Sequence, residues 1–219
     1  LDRSDLYQAQ LANTHLEQTN LAGANFNEAN LTGARLQEAI GDRARFRGAS
    51  LVGANFTNAH LAGANFGRAN LSAAVLRYAQ APGADFRQAN LAGAVLAGGN
   101  FAAAQFPGAY LYRAALTQAD FRGANLAGSS LVQVDARSTL FMGADLSRVD
   151  LQGATATQAQ FNQANLHQAK LDRALLMGAN FTGACLESAS LAEARLDQVI
   201  GLGLICIQTV PIPPIAKPS

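Results

Sequence analysis

Charge is scarce in this chain, and neither sign of it prevails. Of 219 residues 14% are charged, and 16 Lys and Arg stand against 15 Asp and Glu for a net charge of +1. That balance argues against a surface built to imitate or to grip nucleic acid. Cysteine is nearly absent: Cys185 and Cys206 are the two, too few for a disulfide framework. Long apolar runs are missing as well. The stretch that a scan for membrane spans would flag, Leu91 to Tyr112, keeps a five-residue register and includes Asn100, Gln105 and Pro107, which argues against a membrane span. No secretory signal pattern is visible at the N-terminus, although the chain opens at Leu1 without Met, leaving a preceding leader or cap as an open alternative.

What the chain does have is a count of five that never slips. From Leu1 to Leu196 every fifth residue is Leu or Phe at 36 of 40 places, and the residue two before it is Ala at 31 of 40, otherwise Ser, Thr, Gly or Val. A helix face repeats near 3.6 residues and a strand face every 2, so the pattern belongs to neither and must be read as a repeat architecture. Asn or Asp precedes the large residue at 17 of 40 places, where its side chain is expected to bond local turn backbone. Fifteen of the twenty glycines sit two after the large residue, where the chain must turn a corner. They follow no strand and open no helix, so phosphate-loop chemistry is not indicated.

Words such as Ala24-Asn25-Phe26-Asn27-Glu28, Ala29-Asn30-Leu31-Thr32-Gly33 and Ala124-Asn125-Leu126-Ala127-Gly128 resemble the A(D/N)LXX signature of the pentapeptide-repeat family. The resemblance implies an all-β fold, a right-handed quadrilateral β-helix with one pentapeptide per side, four sides per coil, and the large and small residues turned inward. Coils of twenty then stack positions twenty apart, and the columns show identities of their own. One reads Leu11, Leu31, Leu51 and onward to Leu191 without exception; another carries Phe26, Phe46, Phe66, Phe86 and Phe106 before turning to Leu; a third takes over with Phe101, Phe121, Phe141, Phe161 and Phe181. Thus ten of eleven Phe fall in two columns. In the fourth, Leu16 to Leu196, Ala136 and Ala156 lie beside Phe121 and Phe141, large beside small as a close-packed interior demands. About ten coils at a spacing of about 4.8 Å make a rod about 48 Å long. Residues 1–200 form this solenoid, and 201–219, with Leu204 breaking the small-residue rule and four prolines in the last ten residues, are expected to form a hydrophobic cap with an extended tail; a dimerisation segment is the rival reading.

No convergent catalytic, cofactor-binding or metal-binding set emerges. His15, His60 and His167 fall on three different sides. Asn165, Cys185, His167 and Glu187 are expected to stack near one another on an open face, without an oxyanion hole or a deep pocket, and are read as surface residues rather than a cysteine hydrolase. Members of the family resemble duplex DNA and bind DNA gyrase, as inhibitors or in quinolone protection. Here the side with the most acidic groups sets Asp5, Glu28, Asp85, Asp145 and Glu187 against Arg45, Arg47, Arg68, Arg87 and Arg148, so gyrase mimicry is disfavoured. The cluster Arg35, Arg43, Arg45 and Arg47 is interleaved with Glu38 and Asp42, which argues against nucleic-acid binding.

The feature left over is a gap in charge from Gln88 to Tyr112, longer than one coil, which predicts an uncharged belt around the rod. Beside or within it Val75, Tyr78, Val95, Ala97, Tyr110 and Tyr112 are expected to face solvent. A contiguous apolar patch rimmed by aromatics suits a contact surface. The expected function is a non-enzymatic scaffold that uses a flat uncharged face to bind a protein partner or a second copy of itself. Residence in the cytoplasm or, after loss of a leader, in the periplasm or thylakoid lumen is what the resemblance implies.

Overall fold

The computed structural model describes residues 1–203, and within them the chain is a four-sided β-helix. Each side is one pentapeptide. The residue before the large one pairs in parallel with the residue twenty further on, from Asp5 with Asn25 through to Asn180 with Ile200. The second residue after each large one has a positive φ, from Arg3 at 52° to Gly183 at 71°, and a bond from the next N–H closes each corner, as Ser4 N to Leu1 O at 3.1 Å. Those are the marks of a type II turn. All forty corners turn this way, fifteen on glycine and twenty-five on other residues, hence ten coils of four sides.

The five backbone N–H groups of a pentapeptide can be followed one by one, and the result explains the repeating word. In the unit Ala24 to Glu28, Ala24 N closes the turn onto Leu21 O, Asn25 N reaches back to Ser4 O, and Phe26 N and Glu28 N reach forward to Arg45 O and Arg47 O. One donor remains, on Asn27, and the side chain of Asn25 accepts it at 3.3 Å. Asn and Asp recur before the large residue because they satisfy the one N–H that neighbouring coils leave unpaired. Every one of the seventeen does so, from Asp5 to Asn180.

The interior is a continuous stack of Leu, Phe and Ala, fully buried from Leu21 to Phe181; each such Leu or Phe stabilises the fold by about 1.5–3 kcal/mol. Phe26, Phe46, Phe66, Phe86 and Phe106 lie 4.6–5.0 Å apart and nearly parallel. Phe101 stacks on Phe121 at 5.3 Å, so the second aromatic column lies on one wall as the register predicts. Phe56 meets Phe46 and Phe66 edge-on, and Phe101 meets Phe106 the same way at 6.1 Å. At the ends burial fades: Leu1 is 53% exposed, Ile200 57%. The expected cap over 201–219 lies, beyond Gly203, outside the described residues. No helix among the described residues is long and apolar enough to cross a membrane, and Leu91 to Tyr112 keeps the pentapeptide register throughout.

Candidate interaction surface

The six surface residues singled out from the sequence fall on two adjacent sides. Val75, Tyr78, Val95 and Ala97 lie on the side of the Leu16 column, where Val75 pairs with Val95 and Val95 with Ala115. Tyr110 and Tyr112 lie on the preceding side, that of the Leu11 column, with the corner at Gly93 and Arg113 between them and Val95. The set therefore wraps round an edge of the rod rather than occupying one flat face. Four of the six pack closely in pairs: Val75 against Val95 in consecutive coils, and Tyr110 against Tyr112, whose rings stack at 6.1 Å. Arg113 lies over the Tyr112 ring at 5.0 Å and donates through Nε to Gln133 Oε1 at 2.8 Å, so a cation borders the uncharged belt. A guanidinium at that distance is attracted by the ring's negative face.

Tyr78 sits apart, at the far corner of its side. Its φ of 57° and an exposure of 52% place it at a turn, with its ring over Gly98: a Cβ there would meet ring atoms at 2.5 Å. The glycine creates the seat on which the tyrosine lies. Tyr7, Ile40 and Met142 are comparably exposed and were not singled out by sequence reasoning; they are scattered singly, which is ordinary for a protein surface.

The acidic groups are tied down locally. In Asp85-Phe86-Arg87, Asp120-Phe121-Arg122 and Asp135-Ala136-Arg137 the arginine clasps the carboxylate two residues before it, with closest contacts of 2.7, 2.6 and 2.6 Å. At Asp85 and Asp120 partial burial pushes the carboxyl up, but the side-chain and backbone bonds from the arginine residue and its charge outweigh this and hold it below the usual range. At Asp135 the bond from Arg137 is the largest influence and also lowers it. Spacing two apart across an inward residue is the readable signal for such a clasp. Meanwhile the basic sequence cluster is dispersed over three sides by the register, with Arg35 near Glu17 at 3.7 Å, Arg43 on the next side, and only Arg45 and Arg47 together.

The stacking expected around Cys185 is present: Asn165 pairs with Cys185, and His167 Nδ1 lies 3.5 Å from Glu187 Oε2. Yet Asn165 Oδ1 accepts the His167 N–H at 3.1 Å, and its amide donates to Asp145. No free cysteine occurs among the described residues, so this arrangement offers no thiol nucleophile, and Cys206 lies outside those residues. Among the described residues no group of three or more His, Cys, Asp or Glu could hold a metal ion.

Comparison with known proteins accords with this geometry. Solved structures with the same coiled fold include a trypsin-treated form of QnrB1, a plasmid-mediated fluoroquinolone resistance protein, at a TM-score of 0.65 and 21% identity over 81% of this chain and 89% of that one. The chain is also similar in sequence to HetL, involved in heterocyst differentiation regulation in the cyanobacterium Nostoc, with 27% identity over 90% of this chain and 89% of that one at a TM-score of 0.31. No curated protein matches by sequence. The family described as pentapeptide repeats matches in eight copies, over residues 4–40, 42–77, 84–123, 119–158 and 159–198. With its word, its coil and its matched span in agreement, the chain belongs to the pentapeptide-repeat family, whose fold is the right-handed quadrilateral β-helix.

Proposed function

We propose that this chain is a non-enzymatic interaction scaffold, binding a protein partner or a second copy of itself through the uncharged belt. The observation that carries the reading is the stacked Tyr110–Tyr112 pair, at the end of a stretch without a formal charge from Gln88 to Tyr112, with the Val75–Val95 ladder reaching from within that stretch to beside it. Rigid aromatics on a coiled backbone lose little conformational freedom on binding, which favours association. A filled interior and flat sides supply no enclosed cavity in which to assemble catalytic groups.

The resistance protein of similar fold brings gyrase binding by duplex mimicry into view as the alternative. Duplex mimicry needs a run of bare negative charge, whereas Asp85, Asp120 and Asp135 each hold their own arginine. A gyrase supercoiling assay showing inhibition or drug protection at submicromolar protein would reverse the order of the two readings.

Val95→Glu and Tyr112→Glu are expected to abolish association. Sedimentation of the purified chain reads self-association, and capture on immobilised wild-type and variant protein reads a partner retained by the first and lost by the second. Association undiminished in both variants removes the belt from consideration.

A further inference from the structure

We propose that the Phe26 side carries a binding site for a phosphomonoester dianion, seated over Gly67 between Arg47, Arg68 and Arg87. The proposal does not depend on the apolar patch from Val75 to Tyr112, whose six residues lie on two other sides of the rod.

At the forty positions that directly follow the inward residue, Gly67 is the one glycine and the one buried residue. Its backbone does not require glycine, since its φ is not among the positive values, and the nearest atom to an added Cβ is Asn65 Oδ1 at 3.1 Å. Its effect is a missing side chain in the surface column Asn27, Arg47, Gly67, Arg87, Pro107. Arg47 and Arg87 therefore face each other across two coil spacings, about 10 Å, over a notch of about 370 Å³ that Arg68 also lines.

The three guanidiniums are not equivalent. Arg87 is held in place by Asp85, to which Nε and Nη2 donate at 2.9 and 2.7 Å. Arg68 Nε donates to Gln88 Oε1 at 3.0 Å, which steers the group along the corner and leaves its terminal nitrogens available. The Arg47 side chain donates to no described residue. Three cations and one carboxylate line the notch, and Glu28, whose carboxyl the Arg47 charge helps to lower, lies on the far flank of Arg47 and Arg68, so the site keeps a net positive charge after both carboxylates are counted. A phosphomonoester carries about −1.5 to −2 near neutral pH and so answers the three guanidiniums with more charge and more acceptor oxygens than a carboxylate does. Arginine forks also fit the paired oxygens of a phosphoryl group. The notch is open on its outer face, so the phosphoryl group can arrive as free phosphate or on a phosphorylated side chain of a partner.

The test titrates the full chain, at low ionic strength where such contacts are least screened, with a labelled phosphoserine peptide, its unphosphorylated twin and a twin bearing Glu instead. Inorganic phosphate serves as competitor. The phosphopeptide is expected to bind, and Arg47→Ala and Gly67→Glu are each expected to weaken it about tenfold or more. Arg148→Ala, on the same side several coils away, is expected to leave it unchanged. Circular dichroism checks that each variant keeps its coils, and Arg47→Ala alters only an exposed side chain. Competition by inorganic phosphate identifies the free anion as sufficient; binding of the phosphopeptide without it assigns recognition to a phosphorylated segment. Equal affinity for the three peptides, wild-type affinity in Arg47→Ala, or no binding of any phosphate probe at millimolar concentration overturns the proposal.

Discussion

The two halves of the rod share one backbone and differ in what fills it. From Phe26 to Phe106 the aromatic column runs down one side with rings 4–6° from parallel. From Phe101 to Phe181 it runs down the adjoining side, with spacings of 4.8–5.5 Å and tilts of 8–22°. The largest tilts occur where the columns overlap: Phe121 stacks on Phe101 and Phe141 while meeting Phe106 at 59°. Past that crossover, where the first column has turned to Leu126 and Leu146, the rings settle to within 9°. What each cross-section requires is a fixed filled volume, and which wall supplies the ring is secondary.

That comparison can be broken most forcefully at its crossover. Phe121→Ala is expected to cost about 3–5 kcal/mol, read from urea unfolding. Phe161→Ala, with two ring neighbours instead of three, should cost less, and equal costs would mean that the crossover is packed no differently from the regular stack. Next in size is Gly99→Ala. Gly99 is the one glycine among the small inward residues, and an added Cβ would lie 2.6 Å from the Phe101 ring and 3.1 Å from Leu96 O, so overpacking by about 1–3 kcal/mol is expected. Gly41→Ala, which meets a Leu61 methyl at 3.1 Å in the other half, should be milder because that methyl can yield. Smaller again, and opposite in sign, is Ala103→Gly: at a φ of 56° alanine bears left-handed strain, and glycine should stabilise by about 0.5–1 kcal/mol.

The smallest effect is a dependence on acid. Asp85 lies in one half, Asp120 and Asp135 in the other, and all three carboxyls are held below their usual range. A lowered folded value means that the clasp contributes fully above the ordinary Asp value, about 3.9, and is lost as pH falls through the lower folded value. Thermal melting should decline below about pH 4, and Arg122→Gln with Arg137→Gln should flatten that decline more than Arg87→Gln alone.

The coil was legible because the period of five places Leu and Phe inward and Asn and Asp where a spare N–H waits, both rules acting within a few residues. The surface was less so. Arg68 and Arg87 are nineteen residues apart and become neighbours only once the coils stack, so a tally of charges by side cancels groups that space separates: Asp145 and Glu187 stand coils away from the notch that Arg47, Arg68 and Arg87 line. The division of Val95 and Tyr112 between two sides follows from the same register and needed only a closer count of corners. The ring of Tyr78 lying over Gly98 depends on a side-chain rotamer, which the period does not specify.

The parallel pairing of each residue with the one twenty further on restricts how such a chain can change its length. Removing twenty residues takes out one storey and leaves everything above it in phase. Removing five would rotate all that follows by a quarter turn, bringing the Phe141 run over a leucine wall and Gly67 out from between its arginines. A tower of this kind can grow or shrink by whole floors while its outer décor stays aligned, and by nothing less.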